Sequence, residues 1–320
     1  MAKLFAQQNK TPIYADTTKN FMSIVVCKLP RAGLGNQLFP LMKAQVFAQL
    51  NRLPLIVTGY HQIKIGPYLR GEKSKRKYHG FFRFQKSWPL AIWQRRKLLA
   101  RHRNELLAEP VVANIGAKFL KDTWFVFSAM PHWENYFEGL KENRTLAIEL
   151  FWKMIKPEIA AQVSALNAPC IGVHIRMGDF RALKNGEDFS TVGAVRTAEN
   201  YFIDVINGIR KIHGSSLPVV LFTDGYKKEL TQILSLQNVE LAEGNSDLVD
   251  LLLLSRSKII VTAAGSTFSY WSAFLSDAVL IMHPGHLHQP LRPGELNEKW
   301  YEGPFDLQHE LLLKNIKAIE

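Results

Sequence analysis

The residues best suited to chemistry lie at positions 171–179, where an apolar run ends in a basic residue, a glycine and an acid. The stretch reads Ile-Gly-Val-His-Ile-Arg-Met-Gly-Asp. Such a run is typical of a buried strand that carries charged groups to the rim of a sheet, where α/β proteins bind ligands. The planar guanidinium of Arg176 is suited to hold a phosphate with two hydrogen bonds. The stretch therefore predicts a diphosphate-binding site.

Two further predicted strands, Pro218–Thr223 and Lys258–Thr262, also end in polar or small residues. The residues that follow them are Asp224, Gly225, Gly265, Ser266 and Thr267. Because the carboxyl ends of parallel strands meet at one edge of a sheet, these groups are predicted to converge with Arg176. Ser266 or Thr267 can cap a following helix whose free N–H groups face an anion.

The elements that must position these groups alternate between strand and helix. The strands are predicted at Ser23–Leu29, Leu55–Thr58, Trp124–Ser128, Cys170–Ile175, 218–223, 258–262 and Ala278–Met282. The helices are predicted at about Phe39–Asn51, Asn135–Lys156, Ala198–His213, Tyr226–Ser235, Asp247–Ser255 and Thr267–Leu275. This alternation indicates an α/β chain with parallel sheets built from right-handed βαβ units. Pro157 marks the predicted boundary between two Rossmann-like domains, 1–157 and 158–320, which face a cleft.

Four motifs resemble those of known fucosyltransferases. Residues 174–179 look like the His-x-Arg-Arg-x-Asp motif of the α1,2-, α1,6- and protein O-fucosyltransferases. Residues 266–271, Ser-Thr-Phe-Ser-Tyr-Trp, are close to the Ser-Thr-Phe-Ser-Trp-Trp motif of the α1,2-fucosyltransferases. Residues 222–225 resemble the Phe-Ser-Asp-Asp stretch of that family, and residues 33–39 match its Gly-Leu-Gly-Asn-Gln-Met-Phe. All four occur in family order, so the chain is identified as a divergent member of the α1,2-fucosyltransferase family.

The resemblance implies a GT-B fold and an inverting, metal-independent glycosyltransferase that transfers fucose from GDP-fucose to a glycan acceptor, with an α1,2 linkage. It implies that Arg176 neutralises the departing β-phosphate, with His174 as an orienting residue rather than a base. The second domain is expected to hold most of the donor. Its donor-binding residues are predicted to be His174, Arg176, Asp224, Gly265, Ser266, Thr267 and Phe268. The absence of any Asp-x-Asp sequence agrees with an enzyme that uses no metal.

The chain also departs from the family. Met177 stands where the motif has its second arginine, and Tyr270 stands where the motif has tryptophan. The missing arginine keeps open a related glycosyltransferase with a different nucleotide sugar. Asp179 is a candidate catalytic base, although it is equally suited to pair with Arg176 or fix its loop. The acids Glu187, Asp188, Asp247 and Asp250 are further candidates, the last two being expected to be exposed or capping.

The glycine-containing turn at 33–35 invites comparison with dinucleotide-binding loops. Leu38 occupies the place of the third glycine, and no acid occurs from Thr17 to Gly71 to bind a ribose. These two features disfavour a nicotinamide enzyme, and a P-loop kinase is excluded because no P-loop sequence occurs. Under the fucosyltransferase interpretation, the amides of Gly35, Asn36 and Gln37 complete the diphosphate site from the first domain. A purely structural turn is the alternative.

Composition and charge bear on partners and location. The chain has 320 residues and a formal net charge of +12, and the segment 64–103 has 13 Lys or Arg against one acid. Interleaved aromatic residues there suit contact with an anionic membrane surface, and a solvated basic face with its aromatics partly in the core is the alternative. No nucleic-acid motif accompanies the segment. The alternative of a non-catalytic surface- or polyanion-binding protein with a degenerate fold rests on this segment. Cys27 and Cys170 read as core thiols, and no signal peptide or membrane span is seen. We expect a cytoplasmic enzyme, peripheral on the inner face of a bacterial membrane.

Overall fold

The computed structural model describes residues 23–59, 65–69, 71–72, 76, 78, 80–83, 106–107, 109–113, 123–187, 189 and 192–319. Asp188 and most of the basic segment 64–103 lie outside the described residues. The division at residue 157 stays a prediction, although Pro157 begins a helix, where its fixed φ and missing N–H are tolerated.

The first sheet belongs to the first half of the chain. Its strands are β1 (Ser23–Lys28), β2 (Leu55–Thr58), β3 (Leu106–Leu107) and β4 (Thr123–Phe127). They pair in the order β2-β1-β4-β3, and every pair is parallel. The strand order reverses between β1 and β4, so the loops that follow these two strands leave the sheet on either side of a crevice.

The second sheet has six strands. They are β5 (Ile171–Ile175), β6 (Val219–Thr223), β7 (Val239–Leu241), β8 (Ile259–Val261), β9 (Val279–Met282) and β10 (Glu302–Pro304). They pair in parallel in the order β10-β9-β8-β5-β6-β7, which is the doubly wound order of a Rossmann fold. The order reverses between β5 and β8, and ligands bind at such switch points.

Helices cover the sheets. They are α1 (Leu34–Asn51), α2 (Gly66–Leu69), α3 (Arg144–Met154), α4 (Pro157–Ala165), α5 (Glu199–His213), α6 (Thr231–Leu234), α7 (Asp247–Leu254), α8 (Thr267–Phe274), α9 (Gly294–Asn297) and α10 (Glu310–Lys317). Helix α1 begins five residues before the predicted start at Phe39, because Pro40 lies inside the helix rather than at its first turn.

Two predicted helices were wrong in extent. The predicted helix 135–156 is broken into 3₁₀ turns at Trp133–Asn135 and Lys141–Asn143 before α3 begins. Gly139 adopts φ +77° between those turns, a left-handed conformation that no α-helix continues through. The predicted helix 226–235 likewise divides into a 3₁₀ turn at Lys227–Glu229 and the short helix α6.

One hydrophobic core joins the two halves. Phe39 on α1 packs against Trp271 on α8 with ring centroids 5.1 Å apart. Phe137 stacks on Phe274 at 4.4 Å, and Arg144 donates to the Phe274 carbonyl at 2.7 Å. These contacts fix the first helix of one half against the helix that follows the switch point of the other.

The predicted fold class is therefore confirmed: an α/β protein of the GT-B type, with two parallel Rossmann-like sheets that face a cleft. Within the part of the chain that the structure describes, no helix is both long and apolar enough to cross a bilayer.

Candidate active site

A cleft of about 1220 Å³ runs between the rims of the two sheets. The loops after β1 and β4 line it from the first half, and the segments after β5, β6 and β8 line it from the second. The two switch points therefore face each other across one cavity. This arrangement brings together the strand ends on which the sequence argument depended, since β8, β5 and β6 are direct neighbours.

Arg176 leaves the fully buried strand β5 and enters the cleft with its guanidinium clamped. One terminal nitrogen donates to Asp224, and the other donates to Asp179 Oδ1 at 2.6 Å. The guanidinium also lies over the Phe180 ring, 5.2 Å from its centroid. A side chain held by two charge-assisted bonds and a cation–π contact needs little reorganisation when an anion binds.

Asp224 serves Arg176 rather than facing the cleft alone. Its second oxygen accepts from the backbone N–H of Met177 at 2.8 Å, so one carboxylate fixes both the side chain and the turn after β5. A Cβ at Gly178 would lie 2.2 Å from Asp224 Oδ2, and only glycine permits this approach. The acid predicted to bind the donor is thus also the support of the arginine.

Asp179 lies between two guanidinium groups. Its Oδ2 pairs with Arg76 at 3.0 Å, and Arg76 also pairs with Glu72 at 2.7 Å. Burial raises the pKa of Asp179, but the charges of Arg176 and Arg76 outweigh burial and lower it. A carboxylate stabilised in this way is a weak base. Of the two roles that the sequence left open, the geometry favours pairing with Arg176.

His174 is buried on β5, beneath the cleft. Its Nδ1 lies 3.2 Å from the Ser266 hydroxyl, and its ring stacks on Phe268 with centroids 4.8 Å apart. Burial, reinforced by Arg176, lowers the pKa of His174 to about 3. The imidazole is therefore neutral, and it links the end of β5 to the first turn of α8. This position agrees with the predicted orienting role.

The N-termini of α1 and α8 meet in the cleft. A Cβ at Gly35 would lie 2.6 Å from the Thr267 carbonyl carbon, so glycine is required for the two helices to approach this closely. The Thr267 hydroxyl donates to Asn36 Oδ1 at 2.8 Å across the same junction. Neither Gly33 nor Ser266 caps its helix with a side-chain hydrogen bond. Two positive helix ends therefore point into one cavity, which suits a diphosphate.

Two predicted residues have different surroundings. Gln37 is buried, does not line the cleft, and donates through Nε2 to the Pro30 carbonyl at 2.9 Å. It supports the loop between β1 and α1. Gly265 lines the cleft with φ +66°, and its N–H donates to the Tyr270 hydroxyl at 3.0 Å. The loop before α8 thus needs glycine to turn into the helix.

The other acids near the cleft are set apart from Arg176. Asp247 and Asp250 line the cleft in the first turn of α7, where the helix dipole favours negative charge. Glu187 pairs instead with Arg181 at 2.6 Å and does not line the cleft. Among the described residues no group of three or more His, Cys, Asp or Glu is arranged to hold a metal ion.

Sequence comparison decides the family. The profile of glycosyl transferase family 11 matches residues 110–287, more than half of the chain.

The chain belongs to glycosyl transferase family 11.

This confirms the recognition made from the four motifs, and the protein is a glycosyltransferase. No curated protein sequence matches the chain significantly.

Solved structures of fucosyltransferases are similar in outline. NodZ from Bradyrhizobium shares 17% identity and a TM-score of 0.49, covering 84% of this chain and 99% of its own. POFUT1 in complex with GDP shares 12% identity and a TM-score of 0.44, covering 81% and 98%. FUT1 from Arabidopsis thaliana in complex with GDP shares 11% identity and a TM-score of 0.43, covering 87% and 74%. The family assignment rests on the sequence profile rather than on these likenesses.

Met177, which stands at the position of the motif's second arginine, does not line the cleft. Met177 turns into the core of the second half, where it is 8% exposed. A Cβ at Gly225 would lie 2.7 Å from the Met177 side chain, so the two are in close contact. An arginine there would have to bury its charge or displace this turn.

Two cationic residues of the cleft were missed by the sequence argument. Arg31 follows β1, is exposed and lines the cleft, and Arg76 reaches it from the basic segment. Both come from the first half, and Arg76 is paired with Glu72 and Asp179. Only the fold brings these two positions to the cleft that holds Arg176, because they lie about a hundred residues or more away from it in sequence.

Proposed function

We propose that this chain transfers fucose from GDP-fucose to a glycan acceptor, with inversion and without a metal ion. The observation that carries the proposal is the convergence of the clamped Arg176 with the N-termini of α1 and α8 at one cleft. A guanidinium held in place and two helix ends supply fixed N–H donors for the oxygen atoms of a nucleoside diphosphate. The family and the ligands bound to NodZ and POFUT1, which include GDP-fucose and GDP, support this donor.

The chemistry assigned to the site is leaving-group stabilisation. The acceptor hydroxyl oxygen forms a bond to the anomeric carbon while the bond from that carbon to the β-phosphate oxygen breaks. The electron pair departs with GDP, and the acceptor proton passes to a base. Arg176 contacts the β-phosphate, and this interaction becomes stronger as negative charge develops there. The N–H groups at the start of α8 and the Asn36 side chain hold the phosphates from both walls.

Metal independence is part of the proposal. Its support is the absence of an Asp-x-Asp sequence together with the cations already at hand, Arg176, Arg31 and Arg76. The corresponding test is turnover in the presence of excess EDTA, which we expect to equal turnover with Mg²⁺. A requirement for the divalent ion would contradict this part alone.

We propose an α1,2 linkage to a galactose-terminated glycan. Its support is the sequence at 266–271, which is close to the motif of the α1,2-fucosyltransferases. NodZ, to which the chain is similar in outline, is described as an α1,6-fucosyltransferase. Linkage analysis of the product by NMR separates the two linkages directly.

We also propose that the basic segment 64–103 holds the enzyme at the inner face of a bacterial membrane, near a lipid-linked acceptor. The charge of the segment supports this, since it contains 13 Lys or Arg residues and one acidic residue. Replacing Arg95, Arg96 and Lys97 by Ala is expected to abolish salt-sensitive flotation with anionic vesicles while turnover on a soluble acceptor remains. Equal loss of turnover would instead assign these residues to acceptor binding.

The decisive experiment is calorimetric titration of GDP, UDP and CDP without metal. We expect selective GDP binding that weakens about tenfold or more in Arg176→Ala, equivalent to roughly 1.4 kcal/mol. Arg181→Ala is the matched control, because Arg181 pairs with Glu187 and lies outside the cleft. Preference for another nucleotide would keep the glycosyltransferase and replace the donor. No binding of any nucleotide would overturn the donor site and favour a surface-binding protein.

A further inference from the structure

The wall of the cleft includes two aromatic rings, one from each half of the chain. Trp133 follows β4 and His286 follows β9, and both line the cleft. Their rings lie 5.4 Å apart at 49°, which forms an angled surface rather than a closed stack. The backbone N–H of Gln289 donates to the Glu134 carbonyl at 3.1 Å and ties the two loops together. This part of the cleft wall is therefore built from both halves, and a backbone hydrogen bond joins its two loops.

We propose that Trp133 and His286 form a subsite for a pyranose ring, with Tyr270 as the residue that positions His286. The inference rests on the proposed function, which supplies two sugars: the fucose of the donor and the acceptor sugar. A pyranose presents a face of C–H groups and a rim of hydroxyl oxygens. An indole face packs against the C–H groups, and a fixed N–H donor is suited to the oxygens.

Tyr270 fixes the orientation of the His286 ring. It is 1% exposed, and its hydroxyl accepts from the Gly265 N–H at 3.0 Å. The same hydroxyl lies 3.2 Å from His286 Nδ1. Under this proposal the phenol donates its proton to Nδ1, because its oxygen already accepts the Gly265 N–H, and the ring proton of His286 is then on Nε2.

The Nε2 atom of His286 lies beside Gly265, two residues before α8. It is the atom nearest to the position of a Cβ on Gly265, at 3.5 Å. Burial and the neighbouring His288 lower the pKa of His286, so the ring carries no charge at neutral pH. A neutral N–H donor next to an indole suits a sugar hydroxyl, whereas the diphosphate belongs with Arg176 and the helix ends.

The positioning of His286 depends on a residue that differs from the family motif. Tyr270 stands where the α1,2-fucosyltransferase motif has tryptophan. An indole at that position has a ring N–H but no oxygen to accept the Gly265 N–H. The hydroxyl of Tyr270 is therefore a feature of this chain, and it connects the α8 loop to the sugar subsite.

The test is a set of titrations with GDP, GDP-fucose and galactose-terminated oligosaccharides such as lactose, the last without nucleotide. The proteins are the wild type, Trp133→Ala, His286→Ala and the control Trp300→Ala, whose ring is 38% exposed outside the cleft. We expect GDP affinity to be the same in all four. If the ring is that of the donor, the two cleft variants lose about tenfold in affinity for GDP-fucose. If it is that of the acceptor, they lose about tenfold for the oligosaccharide.

Three outcomes overturn the subsite. In the first, the cleft variants bind every sugar ligand with the affinity of the wild type. In the second, the wild type binds no oligosaccharide and binds GDP-fucose no more tightly than GDP, and in the third the cleft variants lose as much affinity for GDP as for the sugar ligands. A wild type that binds oligosaccharide but no GDP would instead contradict the donor and leave the subsite supported, provided that the cleft variants lose that binding.

The role of Tyr270 has its own readout. Tyr270→Phe removes only the hydroxyl, and we expect the same tenfold loss of sugar affinity at unchanged GDP affinity. ¹⁵N NMR of histidine-labelled protein reports which ring nitrogen carries the proton. The wild type should show His286 protonated on Nε2, and the variant should show a mixture of both tautomers. An unchanged tautomer would restrict Tyr270 to a packing role.

Discussion

The two rims of the cleft are built in different ways. The rim of the second sheet presents side chains that hold one another: Arg176 is clamped by Asp179 and Asp224. The rim of the first sheet presents the N-terminus of α1 and the exposed Arg31. The second rim is organised by the ion pairs of Arg176 within its own half, and Asp179 adds a pair with Arg76 of the first half. The geometry of the first rim depends on how closely α1 approaches α8, so it is set by the packing between the two halves.

The largest effect is expected from the second rim. Arg176→Ala removes the charge that stabilises the leaving diphosphate, and turnover of GDP-fucose should fall about 10²–10³-fold. Arg181→Ala should retain turnover. If turnover in Arg176→Ala stays within tenfold of the wild type, charge stabilisation does not come from this rim, and the contrast between the two rims fails.

The first rim is tested by a pair of glycines. Gly35→Ala places a methyl group 2.6 Å from the Thr267 backbone, so α1 and α8 must separate. We expect a loss of about 1–3 kcal/mol in the free energy of unfolding, with weaker GDP binding. Gly33→Ala is the matched control, because nothing lies within 4 Å of its Cβ and its φ of −63° suits alanine. Urea unfolding and GDP titration check both, and equal behaviour of the two variants would show that close approach is not required.

The support beneath the second rim should respond to pH. The pKa of His174 falls from 6.5 to about 3 in the folded protein. Between those pH values the unfolded chain binds a proton that the folded chain does not. The contribution of His174 to the free energy of unfolding is therefore fully present above pH 6.5. It decreases as the pH falls towards 3, by on the order of 1–2 kcal/mol at pH 5.

Substituting His174 isolates this contribution. His174→Gln should show a smaller loss of stability than the wild type between pH 7 and pH 5, measured by urea unfolding. The control His309→Gln changes an exposed histidine and should lose as much as the wild type. An identical pH dependence in the wild type and both variants would mean that the pKa of His174 is not lowered in the folded protein.

The smallest effect is expected from Arg31, which is exposed on the first rim. Arg31→Ala should weaken GDP binding by a factor of about two to five, as for a solvent-screened contact of roughly 0.5–1 kcal/mol. The difference should vanish at high salt. Lys211→Ala, which removes an exposed charge on α5, controls for net charge. A loss that persists at high salt would make the first rim resemble the second.

The sequence allowed the second rim to be predicted well. The strand at 171–175 was predicted within one residue, and Arg176, Ser266, Thr267 and Phe268 all line the cleft as expected. The reason is physical: a buried parallel strand is a short apolar run, and its polar end necessarily lies at the sheet edge. Local pattern and position in the fold agree there.

The first rim could not be predicted in the same way. Arg31 and Arg76 reach the cleft through packing between distant segments, and no local pattern distinguishes them from other surface cations. The pairing of Arg76 with Asp179 joins residues about a hundred positions apart. Trp133 was assigned to no site, because it belongs to no motif, and its place in the cleft wall follows from the 3₁₀ turn at Trp133–Asn135.

The core that joins the two halves has a consequence for cooperativity. Separation of α1 from α8 would expose Phe39, Phe137 and Trp271, all of which are essentially inaccessible to water. A hinge opening wide enough to separate them would expose this apolar surface to water, at a cost of several kcal/mol in free energy. Exchange of nucleotide with solvent must then proceed through side-chain and loop motion, and the two halves should melt as one calorimetric unit rather than in two steps.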